Sequence, residues 1–259
     1  MFKKSKIIFP DEKEILKDAA KAIAVLPMPS RRLFGRQALS LGGLALLSGC
    51  SLTDSKSVEV MLKSMSRFND DVQGWLFDPA RLAPTYAESM ITRPFPFNAF
   101  YGEDEVPEID DDYTLKVSGM VARRDEWTLP ALYALPQVAQ VTRHICVEGW
   151  SAIGKWGGVM FSDFLERIGA DKSAKYIGFR CADDYFTSID MATALHPQTL
   201  LAFTWDGQTL PAKYGYPMKL RMPTKLGYKN PKHITEIFVT NSYPGGYWED
   251  QGYNWFGGS

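Results

Sequence analysis

A chain of 259 residues that is 45% hydrophobic and 13% aromatic is long and apolar enough to bury one sizeable globular core. Its formal net charge of −1 provides no basic surplus to neutralise phosphates, which argues against nucleic acid as a partner. Its three cysteines are too few for a disulfide scaffold, and none stands in a C-x-x-C zinc pair or a C-x-x-C-H haem sequence.

The first 50 residues predict an export signal. Residues 30–36, SRRLFGR, are typical of a twin-arginine motif, and the apolar run that follows at 38–47 is about half the length of a membrane-spanning helix. The run ends in LSGC at residues 47–50, which resembles the site where bacterial lipoproteins are cleaved and acylated on the cysteine. We therefore expect a periplasmic protein with a lipobox-like signal over 1–50 and a membrane anchor at Cys50. The alternative is a chance Arg-Arg pair before a buried helix.

The middle of the chain changes character twice. Residues 51–94 are polar and interrupted by prolines, which predicts a linker followed by an extended arm. The acidic stretch 103–112 predicts a solvated loop, because its spacing offers no metal-ligand geometry. The body of the chain, residues 95–259, then predicts one globular domain.

That body is rich in short strands. Residues 113–118 alternate apolar and polar side chains, as a half-buried strand does, whereas residues 161–168 are apolar at i, i+3, i+4 and i+7, as a helix is. Further strands are predicted at 138–147, 175–181, 185–189, 200–205, 217–222 and 236–240. Without regular βαβ alternation or a glycine-rich dinucleotide motif, the pattern favours an α+β fold.

Cys146 is the residue around which chemistry can be argued. It stands at the end of the strand predicted over 138–147, before a turn that contains Gly149, and the positive charge of Arg143 favours its thiolate. From the residues alone, four interpretations stay open. Cys146 is a ligand to a metal that accepts soft donors, a nucleophile with His144 as its base, half of a disulfide with Cys181, or an inert buried cysteine.

Four sequence blocks resemble the sulfite oxidase superfamily in order and spacing. They are CVEGWS at 146–151 with WGGV at 156–159, NAFY at 98–101, ALHP at 194–197 with LLA at 200–202, and the segment from 210 to 229. Over roughly residues 95 to 240 the chain is similar to periplasmic molybdoenzymes of the methionine sulfoxide reductase catalytic-subunit type. The resemblance implies an α+β, single mixed-sheet molybdopterin-binding domain over 95–259.

The resemblance also implies a molybdenum–molybdopterin cofactor. Cys146 would supply a thiolate to the metal and act as the catalytic cysteine. The other residues that it places at the cofactor are Asn98, Tyr101, Gly102, Cys181, Tyr214, Lys219, Lys229 and Lys232. The three lysines, beside Arg221, would meet the pterin phosphate, since ammonium groups pair with phosphate through charge-assisted hydrogen bonds.

Four of these positions depart from the family pattern. Lys219 stands where the relatives usually have Arg, Cys181 where they have Thr, Tyr214 where Asn or His is common, and Gly102 where an acidic residue is usual. Because these changes surround the pocket, the resemblance predicts the cofactor more firmly than the substrate.

The implied reaction is two-electron oxygen-atom transfer on a small S- or N-oxide substrate. With no haem motif in the chain, electrons would come from a separate membrane b-type or soluble c-type cytochrome. Two alternatives stay open: a non-enzymatic binding domain on the same fold, and a thiol-redox protein that uses Cys146 and Cys181. The aromatic stretch 243–256 is expected to cover a sheet edge as core, with a role at the cofactor entrance or in partner docking as the alternatives.

Overall fold

The structure is a computed structural model that describes residues 56–110 and 112–259. The chain divides into two units, residues 1–61 and residues 62–259, and the account below concerns the second. The twin-arginine motif, the apolar run and Cys50 lie outside the described residues, so the export signal and the anchor stay predictions. Within the described ranges, no helix has both the length and the apolar character needed to cross a membrane.

A helix occupies much of the segment that was expected to be a linker. Helix α1 runs over Lys56–Leu76, and the composition of this segment did not predict a helix. The prolines that suggested an extended arm begin only at Pro79, after the helix has ended. From residue 77 to 113 the regular structure consists of two 3₁₀ turns, Glu88–Met90 and Glu103–Glu105. The division of the chain into signal, arm and domain stays a prediction.

The remaining elements form an α+β domain. In chain order they are β1 Thr114–Gly119, β2 Trp127–Thr128, α2 Leu129–Tyr133, β3 Val138–Ile145, β4 Ser151–Met160, α3 Phe161–Arg167, β5 Tyr176–Cys181, β6 Phe186–Asp190, α4 Met191–Ala194, β7 Leu200–Trp205, β8 Gln208–Thr209, β9 Lys219–Arg221 and β10 Ile234–Thr240. Two more 3₁₀ turns cover Ala212–Tyr214 and Gly227–Lys229. Every strand predicted from the sequence coincides with one of these strands.

The strands build two sheets within the described part of the chain. The first has the order β2-β1-β10-β5-β6 and is mixed, because β1 and β10 run parallel while the other neighbours are antiparallel. The second has the order β3-β4-β7-β8, with β9 also paired to β7, and is antiparallel throughout. The predicted α+β fold with a mixed sheet is thus confirmed.

Helix α3 shows how the hydrophobic pattern places the core. Its apolar positions Phe161, Phe164 and Leu165, and Ile168 just after it, are completely buried in the main hydrophobic cluster. Gly169 then ends the helical turn in the left-handed region, with φ of 63°, a conformation that glycine adopts at little cost.

Strand β4 was not predicted from the sequence, and it contains three glycines, Gly154, Gly157 and Gly158. At Gly158 an added Cβ atom would lie 1.9 Å from the carbonyl oxygen of Leu201 on β7. The glycine therefore allows β4 and β7 to pair closely, which buries Trp156 beneath the sheet. This pairing matters for the site, since β3 and β4 together hold the turn that carries Cys146.

Candidate functional site

Cys146 lies in the turn between β3 and β4. Its amide donates to the carbonyl of Trp150 at 2.9 Å, and the amide of Gly149 donates back to the carbonyl of Cys146 at 3.1 Å. Gly149 has φ of 93°, which a residue with a side chain rarely adopts. The antiparallel register of β3 and β4 fixes the turn at the end of the sheet, and the predicted turn is confirmed.

The turn opens onto a pocket. It encloses about 670 Å³ of empty space, part of it open to solvent. Its lining comes from four separate segments, which are Asn98–Phe100, Cys146–Glu148, Asp183 with Tyr185, and a C-terminal group that consists of Gly227, Tyr228, Asn230, Pro231, Lys232, Trp248 and Tyr253. Residues from the NAFY block at 98–101, the cysteine turn and the basic segment therefore meet at one place.

The Cys146 thiol is buried and held by polar neighbours. It is 3% exposed, the Asn98 side-chain amide donates to its sulfur at 3.2 Å, and the sulfur lies 3.7 Å from a carboxylate oxygen of Glu148. Burial raises the pKa of the Cys146 thiol; the backbone amide of Glu148 lowers it and the carboxylate of Glu148 raises it. A thiolate at this position therefore requires a cationic partner, and a bound metal ion supplies one.

Two alternatives for Cys146 find no support in the geometry. Cys146 and Cys181 are both free and buried, so they form no disulfide. The ring of His144 packs against Trp150 and Phe95, at 5.7 and 6.0 Å between ring centroids, and neither of its ring nitrogens has a hydrogen-bond partner among the described residues. His144 is thus not positioned as a base for the thiol.

A group of buried basic residues, which we name the pocket cluster, consists of His144, Lys219, Arg221 and Lys232. Burial lowers the pKa of Lys219, and the nearby charges of Lys232 and Arg221 lower it further. Burial also lowers the pKa of Lys232 to about 8, although the charge of Asp183 opposes the shift. Burial and the three neighbouring cations hold the pKa of His144 well below its usual range. The four basic groups therefore lie close enough together to disfavour one another's protonated forms, which a bound anion would favour.

The glycines around this cluster allow its close packing. At Gly215, whose φ is 119°, an added Cβ atom would lie 3.0 Å from the Cβ of Lys232 and 3.1 Å from that of Lys219. The side chains of both lysines therefore begin close to Gly215. At Gly227 an added Cβ would lie 2.8 Å from a ring nitrogen of His144. A side chain at either glycine would crowd the cluster.

The cations of the pocket cluster differ in their hydrogen-bond and aromatic partners. Arg221 donates to the carbonyl of Arg143 at 2.6 Å and to the hydroxyl of Thr142 at 3.1 Å, which ties it to strand β3. Lys219 has its ammonium 4.6 Å from the centre of the Trp156 ring and forms no ion pair with any described carboxylate. Lys232 donates to the carbonyl of Lys213 at 3.2 Å and lines the pocket. Neither Lys219 nor Lys232 forms an ion pair with a described carboxylate within direct contact distance, although the charge of Asp183 acts on Lys232.

Lys229 lies in a different environment, which we name the tail cluster: Asp190, Lys225, Lys229 and Glu249. Lys229 and Glu249 form a fully buried ion pair, and the hydroxyl of Thr187 donates to the same carboxylate at 2.7 Å. The ammonium of Lys225 lies 3.6 Å from Asp190 and donates to the carbonyl of Phe256 at 2.9 Å. A carboxylate thus already neutralises the charge of Lys229, and the expectation that Lys229 meets a phosphate stays a prediction.

Tyr101 and Cys181 lie beside the pocket, on either side of Asp183. The Tyr101 hydroxyl donates to the carboxylate of Asp183 at 3.0 Å. Burial raises the pKa of Asp183, and burial together with the charge of Asp183 raises the pKa of Cys181 well above its usual value. Both residues thus interact with Asp183, which lines the pocket, and their contacts with a cofactor stay predictions.

Tyr214 and Gly102 do not line the pocket. The Tyr214 hydroxyl donates to the carbonyl of Phe95 at 2.8 Å, inside a small aromatic cluster with Trp156 and Trp205. The amide of Gly102 donates to the carboxylate of Glu105 at 3.0 Å, within the 3₁₀ turn that follows it. The polar groups of both residues have partners inside the protein, and their expected cofactor contacts stay predictions.

The aromatic tail contributes more than a cover for the core. Phe256 is buried, as expected, but Trp248 and Tyr253 line the pocket, and the Tyr247 ring stacks on Phe100 at 4.7 Å. Asp183 and Asn230 also line the pocket and were not predicted. Asn230 stands between two lysines in KNPK, the one signal that could have identified it.

The pocket suits a group that combines a soft-binding metal with a terminal phosphate. Cys146 offers a sulfur donor of the kind that such metals prefer, and Asn98 donates to that sulfur. Lys219 and Lys232 provide two buried positive charges without a carboxylate in direct ion pair, and a phosphate carries up to two negative charges. The donor set therefore fits a molybdenum–pterin cofactor.

The sequence is similar to a described protein family and to several named proteins. A family model described as an oxidoreductase molybdopterin binding domain matches residues 103–248. A protein of Azospira oryzae named putative protein-methionine-sulfoxide reductase subunit YedZ1 is 66% identical over 259 residues, 99% of each chain. A protein of Ralstonia nicotianae named protein-methionine-sulfoxide reductase catalytic subunit MsrP is 30% identical over 69% of this chain and 64% of its own length. An MsrP of Xanthomonas axonopodis pv. citri is 31% identical over 53% and 48%.

Among solved structures, the sulfane dehydrogenase SoxCD of Paracoccus pantotrophus superposes with a TM-score of 0.50 at 20% identity. The superposition covers 53% of this chain and 40% of that one. At this identity the likeness concerns the fold alone. The matches to the two MsrP proteins span less than two thirds of the length of those proteins.

Proposed function

The chain belongs to the family of oxidoreductase molybdopterin binding domains and is a molybdopterin-dependent oxidoreductase, and on this premise we propose that it reduces an S-oxide of the methionine sulfoxide type. The observation that carries the proposal is that the buried Cys146 lines the pocket together with Lys232, and that the buried Lys219 lies near Lys232 behind the lining. The substrate class is supported by the names of the relatives.

Each of these residues, together with Asn98, has a distinct proposed role. Cys146 would bind the metal, and Asn98 would orient the sulfur through its N–H···S contact. Lys219 and Lys232 would hold the phosphate of the pterin, with Tyr101, Cys181 and the backbone near Asn230 alongside. When bound, the cofactor supplies a metal that cycles between the +6 and +4 states and exchanges an oxygen atom with the substrate.

The upper wall of the pocket is suited to a sulfur-containing side chain. Tyr185, Trp248 and Tyr253 line it, and the rings of Phe100, Tyr185 and Tyr247 pack against one another. Aromatic rings exclude water and make favourable contacts with sulfur. The overall conversion takes two electrons and two protons per S-oxide and yields one thioether and one water, with the electrons supplied by a separate protein.

Turnover with purified, cofactor-loaded protein tests this proposal. Molybdenum and pterin are first quantified, and reduced viologen dye then drives reduction of free and peptide-bound methionine sulfoxide, dimethyl sulfoxide and trimethylamine N-oxide, with sulfite oxidation assayed in parallel. We expect the S-oxides to be consumed fastest. Activity confined to the N-oxide or to sulfite would replace the substrate, and loaded protein without turnover would favour the non-enzymatic binding domain.

We further propose that the protein is exported to the periplasm, anchored by acylation of Cys50, and supplied with electrons by a b-type membrane or soluble c-type cytochrome. The support is the twin-arginine motif at residues 30–36 and the LSGC sequence at 47–50. Replacing Arg31 and Arg32 with Lys should leave loaded protein in the cytoplasm. Normal export of that variant would refute the signal, and a mature mass without acyl chains would refute the anchor.

A further inference from the structure

Helix α1 packs on the domain through its polar side. The Asp70 carboxylate accepts from the amide of Phe256 at 2.7 Å, and the Gln73 side-chain oxygen accepts from the amide of Gly258 at 3.2 Å. A Cβ atom added at Gly74 would lie 3.8 Å from the Phe256 ring, so this glycine also faces the tail. A soluble amphipathic helix normally places its apolar side against the core.

The opposite side of the helix is apolar and faces solvent. We name it the α1 apolar stripe; its members are Leu62, Met65, Phe68, Trp75 and Leu76. Trp75 is 82% exposed and Phe68 is 67% exposed. With a rotation of about 100° per residue, the centre of this stripe lies on the far side of the helix axis from Asp70, Gln73 and Gly74. The helix therefore turns its polar side to the domain and its apolar side to solvent.

Such an exposed stripe indicates a partner, because scattered apolar residues are ordinary on a protein surface but a contiguous group is not. We propose that α1 lies in the interface of a lipid bilayer, with the apolar stripe inserted among the acyl chains. Trp, Phe and Leu on one side of a helix, with polar and basic residues on the other, are typical of interfacial helices. Lys63 and Arg67 lie on the polar side of α1, near Asp70 and Gly74 in the helical rotation.

The position of the helix in the chain supports a lipid surface over another occupant. Helix α1 begins six residues after Cys50, the proposed site of acylation, so its start lies within about 20 Å of that anchor even if the intervening chain is fully extended. The stripe itself also disfavours a second copy, since two-stranded coiled coils prefer β-branched residues and Leu along their seam rather than Met, Phe and Trp.

Charge makes the proposal more specific. Helix α1 has three basic and three acidic residues, so it carries no net charge. Binding should therefore depend on the apolar stripe and vary little with the anionic lipid content of the membrane or with salt, unlike the binding of a polybasic segment.

Vesicle flotation with the full chain tests the stripe apart from acylation. The parent is Cys50→Ser, and the vesicles contain phosphatidylethanolamine and phosphatidylglycerol at 3:1. We expect Phe68→Glu with Trp75→Glu to lower the partition coefficient at least roughly tenfold, since two large buried side chains are lost from the lipid. Met90→Glu with Tyr243→Glu is the matched control, because both residues are about half exposed, at 51% and 55%, and lie outside α1. The control should bind as the parent does.

A second measurement covers the case in which all variants float because the export signal itself binds lipid. Lipids brominated on their acyl chains should quench part of the tryptophan fluorescence of the parent, and Trp75→Phe should lose that part. Absence of any Trp75-dependent quenching overturns the proposal. So does a dimer in light scattering that Phe68→Glu with Trp75→Glu dissociates while vesicle binding is absent, since the occupant is then a second copy. Turnover with soluble dye should be unchanged in these variants, which separates this result from the proposed S-oxide reduction.

Discussion

The pocket cluster and the tail cluster both contain buried lysines, but the lysines of the tail cluster lie next to carboxylates and Lys219 of the pocket cluster does not. In the tail cluster Lys229 pairs with Glu249, and Lys225 has Asp190 at 3.6 Å. In the pocket cluster Lys219 has cations for neighbours, and no described carboxylate forms an ion pair with it. Burial of a charge does not by itself mark a binding site. Burial without a counter-charge does, because the desolvation penalty is offset only when an anion arrives.

The same contrast applies to the two cysteines near the pocket. Both are buried and free, but Cys146 lies in a glycine turn with Asn98 on its sulfur, whereas Cys181 lies at the end of β5 with no side-chain donor recorded on its sulfur among the described residues. Both residues carry a free thiol, but among the described residues only the Cys146 sulfur accepts a hydrogen bond from a side chain, that of Asn98. The predictions below test whether pairing and placement, rather than residue type, separate function from structure.

The largest effect is expected at the cysteine that is held. Cys146→Ser should lower turnover more than about 100-fold, since loss of partners outside the metal ligands alone costs 10- to 100-fold. It should keep its pterin, which the pocket cluster holds, and X-ray absorption at molybdenum should show one sulfur ligand fewer. Cys181→Ser is the matched control and should resemble the parent; equal behaviour of the two variants would end the assignment of Cys146 as the metal ligand.

The next largest effect should fall on stability and not on the cofactor. Lys229→Met leaves the Glu249 carboxylate buried without its partner, which should lower the free energy of unfolding by about 3–5 kcal/mol. Lys219→Met removes an unpaired buried charge and should leave the cofactor-free protein as stable as the parent or more so. Urea unfolding of both cofactor-free variants makes the comparison. A similar loss in both would show that Lys219 is as well compensated as Lys229.

For cofactor content we expect the opposite of the stability result, so that substitution of Lys219 matters more than substitution of Lys229. Lys219→Glu removes a charge-assisted contact worth roughly 1.5–3 kcal/mol and adds repulsion toward the phosphate, so the purified variant should lose its pterin. Lys219→Arg keeps the charge and should retain it. Fluorescence of the released, oxidised pterin measures the content. Full loading of Lys219→Glu would place the phosphate elsewhere.

The smallest effect is a pH dependence that originates at Lys232. Its pKa is lowered from 10.5 to about 8 in the folded protein. Between these values the unfolded chain holds a proton that the folded chain has released, so the free energy of unfolding of the cofactor-free protein should rise as pH increases from about 8 to 10.5. Urea unfolding at pH 7.5 and 9.5 should show a smaller rise in Lys232→Met. An identical rise in both proteins would assign the effect to other groups, such as Lys225.

Local patterns were sufficient for most of the fold. The alternation at 113–118 and the helical spacing at 161–168 identified β1 and α3, because one buried face determines the period of a strand or a helix. The sequence pointed to a linker where α1 forms, since the prolines after residue 76 dominated the interpretation. It also did not reveal β4, whose glycines serve close strand pairing and not turns.

The sequence by itself determined the cysteine turn, the family and the residues that could meet a cofactor, because these depend on residue type and order. Only the tertiary structure decided which of those residues are available. Lys219 and Lys229 are both lysines in the same basic segment, and no local pattern tells that Glu249, 20 residues further on, neutralises one of them. Packing and turn geometry likewise give the Tyr214 hydroxyl and the Gly102 amide partners inside the protein that the sequence did not predict. Charge pairing is a property of three-dimensional proximity, and the chain order leaves it open.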